Sequence, residues 1–169
     1  MRPALRMLAM FALTKKTDYA IIALCHMAQR PGEVCTAREI AGQFNVPLAL
    51  LMNVLKTMNQ AELVRSIRGA KGGYTLAMPA QQITLADIIT AVEGPIRLVQ
   101  CAAGREALAD GCGLADTCPV TKPVNKVHDK LYEFLKRVSL AQIAFDEEYG
   151  DPQRECIRLA VLTSSEQEQ

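Results

Sequence analysis

One stretch limits the fold of this chain more than any other: TAREIAGQFNVP at residues 36–47, followed by LVRSIRGAKGGYTLAM at 63–78. Thr36 with Glu39 three residues later writes a capping box. The hydroxyl accepts from an orphan amide of the first turn, and the carboxylate answers the cap's own amide. Ile40, Ala41 and Phe44 give that short helix an apolar face. Asn45 suits a left-handed turn, and Pro47 suits the opening turn of a further helix. This next helix is expected to run to about Ala61 with Leu48, Leu51, Val54, Leu55 and Met58 turned inward. Two short helices around a tight turn make a helix-turn-helix, whose second helix can enter a major groove. LVRSI then alternates as a strand, RGAKGG is a glycine-rich turn, and YTLAM returns. The expectation is a winged helix-turn-helix, mainly α with a small β-wing.

The flanking segments fit around that centre. Tyr19, Ile22, Ala23 and Met27 recur at helical spacing between Thr14 and Gln29, and RPG at 30–32 stops the run. Thr84 and Asp87 cap a helix that GP ends after Glu93. Residues 97–118 show no periodicity and carry Gly104, Gly111 and Gly113. Pro123 opens a run, PVNKVHDKLYEFLKRVSLAQIAF, in which Val127, Leu131, Phe134, Val138 and Phe145 lie at roughly heptad intervals. Such a stripe suits a second helix, and too few helices remain in the chain to cover it, so a homodimer is expected. The divisions are an N-terminal extension at 1–12, a winged helix-turn-helix at 13–95 and a cysteine-bearing loop at 96–122. A long dimerisation helix at 123–149 and a flexible tail at 150–169 follow. Met10 is an alternative start.

The net charge of +1 argues for no partner, but its distribution does. Residues 1–75 hold 10 Lys and Arg against 4 Asp and Glu, whereas residues 76–169 hold 9 against 14. A basic front half suits a polyanion. Arg65, Arg68 and Lys71 crowd the hairpin with no acid among them, a pattern suited to phosphates or a narrow minor groove. The recognition helix offers Asn53 for adenine and Lys56 for guanine or phosphate, a modest set. Thr36, Asn53, Lys56, Arg65, Arg68 and Lys71 are therefore the candidate contacts to double-stranded DNA, and two wings on a twofold axis would read a pseudo-palindromic operator. The opening residues imitate a signal peptide but lack a cleavage site. No stretch approaches the ~18 apolar residues of a membrane span, so the expected setting is cytoplasmic and free of membranes.

Cysteines gathered outside a core need a reason. Cys101, Cys112 and Cys118 stand in a run poor in large apolar residues. Soft thiolates suit iron–sulfur clusters, zinc or Cu(I). The spacing C-x10-C-x5-C is not that of a zinc ribbon, yet the residues alone leave zinc and iron–sulfur open. Cys25, Cys35 and Cys156 are read as structural or incidental.

The motifs LTKKTDYAIIAL, TAREIAGQFNVP, LVRSIRGAKGGYTLA and ITLADIITAVEGP, followed by three cysteines, resemble the IscR/NsrR type of bacterial winged-helix regulators from residue 13 to about 145. The resemblance implies a homodimeric transcription factor, most often a repressor, and not an enzyme. It implies an iron–sulfur cluster, 2Fe-2S ahead of 4Fe-4S, on Cys101, Cys112, Cys118 and one further ligand. It places the minor-groove arginine at Arg68. The chain also departs from the pattern. Where IscR-like members supply a histidine three residues after the last cysteine, this chain has Thr121, and its first two cysteines stand farther apart. His128 is expected to face solvent within the next helix. NsrR-like relatives complete the site with an aspartate from the other subunit, which matches Asp18. That residue is the leading fourth ligand, with Glu106, Asp110 and Asp116 also in reach. The implied function is sensing of cluster, redox or nitric oxide status, controlling cluster-assembly or stress genes. The alternatives are a cluster-free thiol switch, and an iron–sulfur or zinc protein with no regulatory role.

Overall fold

A computed structural model describes residues 13–69, 71–97 and 118–145. The order is α1 (Lys15–Ala28), α2 (Ala37–Phe44), α3 (Leu48–Gln60), β1 (Val64–Ile67), β2 (Gly73–Leu76), a 3-10 turn (Ala80–Gln82), α4 (Leu85–Glu93), α5 (Thr121–Arg137) and α6 (Leu140–Ala144). This is the winged helix-turn-helix expected from the sequence, mostly helical with one small antiparallel sheet.

Local chemistry sets each boundary. Thr36 and Glu39 close their capping box at α2, and Thr84 and Asp87 close another at α4. Asn45 ends α2 with φ 52, the left-handed conformation that lets the chain turn into α3. The core then assembles from one face of each helix. Ala20, Ala23, Leu24 and Met27 of α1 meet Ile40 of α2, Leu51, Val54, Leu55 and Met58 of α3, Ile83 and Ile88 around α4, and Leu140 of α6. On α1 this face differs from the expected one, because Tyr19 and Ile22 are half-buried and Ala20 and Leu24 carry the burial. Phe44 is 39% exposed, lying edge-on to His26 rather than within the core.

The hairpin pairs Val64 with Leu76 and Ile67 with Gly73. It has a third member. Cys35 forms an isolated bridge with Tyr74: its amide donates to the Tyr74 carbonyl at 2.9 Å, and the Tyr74 amide returns to the Cys35 carbonyl at 2.8 Å. The residue just before the α2 cap thus seats the returning strand of the wing. A Cβ on Gly73 would stand 2.5 Å from the Cys35 oxygen, so only glycine admits this approach. Asn59 at the end of α3 accepts from the Ser66 amide at 3.1 Å, fixing the wing to the second helix of the motif.

The long C-terminal helix is shorter than the sequence suggested. It begins two residues before Pro123 and stops at Arg137. Ser139 and Gln142 form a new capping box that opens α6. Between the helices, the Leu85 amide donates to the Val138 carbonyl at 2.8 Å and the Leu140 amide to the Ile83 carbonyl at 2.7 Å. This short extended link ties the α5–α6 break to the start of α4. Val138 is consequently buried in the body rather than part of an outer stripe.

Candidate nucleic-acid interface and thiol site

The six candidate DNA contacts fall on α2, α3 and the wing, and all are exposed. Thr36 caps α2, its hydroxyl accepting from the Glu39 amide at 3.1 Å. Asn53 and Lys56 lie on the outer side of α3, beside exposed Leu50 and Met52. Thr57 is committed elsewhere: its hydroxyl donates to the Asn53 carbonyl at 3.1 Å. Arg65 stands on β1 opposite Thr75, while Arg68 and Lys71 flank the turn. Among the described residues, none of Lys56, Arg65, Arg68 and Lys71 is in an ion pair. Their positive charge is therefore available to a polyanion, and its worth falls as salt rises.

A buried polar group behind this face carried no sequence signal beyond a lone histidine in an apolar helix. His26 is fully buried in α1; its Nε2 lies 3.3 Å from Glu39 Oε1, and Arg30 Nη1 lies 2.6 Å from its Nδ1. Arginine can only donate, so Arg30 donates toward the ring, and the same Nη1 also lies 3.0 Å from Nε2. Glu39 serves both the α2 capping box and the α1 core.

Of the three clustered cysteines, Cys118 lies within the described residues; Cys101 and Cys112 lie outside them, as do Glu106, Asp110, Asp116, Cys156 and Met10. Cys118 sits just before the 17-residue helix α5. The nearby Thr121 side chain, together with the amides of Val120 and Thr121, draws its thiol below the ordinary cysteine value. That favours the thiolate, the form that binds metals and reacts with oxidants. Thr121 Oγ1 is buried and closes no full hydrogen bond among the described residues. Cys35 and Cys25 are shifted the other way, upward, chiefly by burial.

Asp18 is exposed in the first turn of α1, with Lys15 3.7 Å away. Nothing else among the described residues claims its carboxylate. His128 does not face solvent as expected. It is half-buried, its ring stacks on Tyr132 with centroids 6.3 Å apart, and its Nδ1 is buried without a partner among the described residues. Asn125 Oδ1 shares this condition one turn earlier.

One anchoring residue was legible in the sequence only as the end of a helix. Glu93, the last residue of α4, takes three hydrogen bonds on one oxygen: from the Thr14 amide at 3.0 Å and from the Thr14 and Thr17 hydroxyls at 2.5 Å each. The Thr14 hydroxyl chiefly, then that of Thr17, holds its carboxyl below the usual glutamate range. A folded pKa below the unfolded one means that the native state binds fewer protons, so stability falls as pH falls. The contribution is complete above the usual glutamate pKa of about 4.3 and drains away as pH drops through the lower folded value. Acid-melting curves of wild type and Glu93→Gln are expected to diverge above that window and to converge below it.

Part of the exposed apolar surface runs along α5 from its cap, Val120. Val120, Val127 and Phe134 are 56%, 59% and 55% exposed at intervals of seven residues, and no residue of α5 is buried. Phe145 is exposed as well, beyond the break.

Comparison with known proteins bears on all of this. Residues 13–146 match the Rrf2 family, described as an iron-dependent transcriptional regulator. The chain is 31% identical to the HTH-type transcriptional regulator IscR of Sodalis glossinidius over 140 residues, 82% of each chain. It is similar to the solved structure of CymR, the global cysteine regulator of B. subtilis, with a TM-score of 0.65 and 26% identity over 82% of this chain and 99% of that one. It is similar also to T. potens IscR, with a TM-score of 0.61 and 28% identity over 82% of this chain and 89% of that one. Within the described residues, no helix is long and apolar enough to cross a membrane.

Proposed function

The chain belongs to the Rrf2 family of winged-helix transcriptional regulators, and from that membership we propose a homodimeric repressor that reads iron–sulfur status through Cys101, Cys112 and Cys118. The observation that carries the reading is the position of Cys118, just before the head of α5. It stands at the junction between the wing domain and the exposed apolar helix. Asp18 is the fourth ligand in this reading, its carboxylate exposed and, among the described residues, paired with the neighbouring Lys15 on the surface. A bound cluster supplies redox and nitric oxide sensitivity. The chain's own residues hold it, place the wings and bind DNA.

Val120, Val127 and Phe134 form the seam against a second copy, because a repeat of seven keeps one stripe facing a partner helix. Two protomers so joined present two α3 helices and two wings to a pseudo-palindromic duplex, with Arg68 in the minor groove. Phe134→Glu is expected to shift the protein to monomer in analytical ultracentrifugation. An unchanged dimer would place the interface elsewhere.

The cluster assignment is tested by anaerobic purification from iron-replete cells, with iron and sulfide analysis and absorption spectra. Wild type should be coloured, and Cys118→Ala should lose its iron. Asp18→Ala should keep the thiolate ligands but change the spectrum. A second reading, a thiol switch without metal, is supported by the likeness to the cysteine regulator CymR and by the same lowered Cys118 thiol. Colourless wild type that loses DNA affinity on mild oxidation would favour it.

A further inference from the structure

We propose that Glu93 is a positioning residue that fixes the start of the cysteine-bearing segment to the first turn of α1, so that a change in that segment reaches the helix-turn-helix. Helix capping alone does not account for its contacts. Thr14 already caps α1, its hydroxyl accepting from the Lys16 amide at 3.2 Å. A carboxylate from 79 residues away is not needed for that task. Thr17 is the informative partner. It is completely buried, so its hydroxyl requires an acceptor, and Glu93 supplies it at 2.5 Å. Immediately after Glu93 the chain turns at Gly94, with φ 88, and in sequence Cys101 follows seven residues later.

The other end of α4 is equally committed. The links from Leu85 to Val138 and from Leu140 to Ile83 bind it to the α5–α6 break, and Cys118 lies at the head of α5. The cysteine-bearing segment thus leaves one end of α4 and returns through a helix tied to the opposite end. At the leaving end, the Glu93 carboxylate adds a polar fastening to α1 beside the direct packing of the two helices. Helix α1 packs directly on α3, the second helix of the motif. A pull on residues 94–97 therefore acts on the same turn that carries Asp18 and, through the α1 core, on α3. What exerts the pull rests on the sensing function proposed above; the fastening does not.

The fastening is tested on iron-free, full-length protein by amide hydrogen exchange. The Gly94 amide, bonded to the Thr90 carbonyl at 3.1 Å, reports one side, and the Asp18 amide, bonded to the Thr14 carbonyl at 3.2 Å, reports the other. Thr17→Val, a near-isosteric change on α1, is expected to accelerate exchange at Gly94 about tenfold, and Glu93→Ala, which removes the acceptor of all three bonds, to do the same at Asp18. The double variant should be no faster than Glu93→Ala alone, since Thr17→Val then has no shared interaction left to remove. Unaltered exchange across the contact, or effects that simply add, would overturn the proposal. A second readout separates positioning from mere support. On a duplex selected by the wild type from a random pool, Glu93→Ala should bring the affinity ratio of iron-loaded to iron-free protein close to one, while the iron-free affinity stays within about twofold. Retention of the wild-type ratio would also overturn the proposal. A wild type without any such ratio would remove the sensing function, and the exchange arm would still decide the fastening.

Discussion

Gly73→Ala is expected to unseat the wing and to lower stability by about 3–5 kcal/mol, a melting temperature roughly 10 °C below wild type. The added Cβ would lie 2.5 Å from the Cys35 carbonyl oxygen, 2.9 Å from Val34 Cγ1 and 3.0 Å from the Cys35 carbonyl carbon. Two of these atoms are backbone and cannot swing aside. Strand β2 must then move off Cys35, and the two hydrogen bonds joining Cys35 to Tyr74 go with it. Each is worth about 1 kcal/mol, and the steric displacement costs a further ~1–3 kcal/mol. The neighbouring glycine sets the contrast. A Cβ on Gly72 meets the Ile67 and Gly69 oxygens, both inside the hairpin. Gly72→Ala should therefore distort the tip and weaken DNA binding with a smaller fall in melting temperature. A Gly73→Ala protein that melts within about 2 °C of wild type would contradict the seat described for β2.

Arg68→Glu is expected to weaken DNA binding about a hundredfold or more while leaving folding within about 0.5 kcal/mol of wild type. Arg68 is exposed at the end of β1, outside every ion pair among the described residues, and rests on a wing anchored twice, at Asn59 and at Cys35. A cation held on a rigid support loses little entropy on contact, whereas an acid there meets the phosphates with like charge. Lys71→Ala should instead weaken all sequences alike and reduce the dependence of log affinity on log salt by about one unit. Arg68→Glu with wild-type affinity would remove the wing from the interface.

Much of the DNA-binding fold was legible in the sequence, for local reasons. Capping boxes at Thr36–Glu39 and Thr84–Asp87, the left-handed Asn45 and the glycine-rich hairpin turn are written within a few residues of where they act. What escaped was non-local. The Cys35–Tyr74 bridge, the Glu93–Thr17 contact and the link between Ile83 and Leu140 join residues that carry no mutual signature. The overlong C-terminal helix is a different case. Ser139 and Gln142 do form a capping box in the sequence, but the apolar repeat running through Val138 masked it. Val138 follows the heptad and is spent on the core, so periodicity alone could not separate a seam from a buried anchor. Of the three clustered cysteines, Cys118 is placed just before α5, while Cys101 and Cys112 lie outside the described residues. His128 was misjudged because a helical position does not say which side the rest of the chain covers.

The central claim is that sulfur ligands in the segment between α4 and α5 govern how the two wings meet a duplex. The direct measurement is the affinity of iron-loaded and iron-free protein for one selected duplex, at one salt concentration and without oxygen. A difference of fivefold or more is predicted, within the usual range of coupling between two sites. Equal affinities in the two states, with the iron-loaded form verified by its colour and iron content, would contradict it.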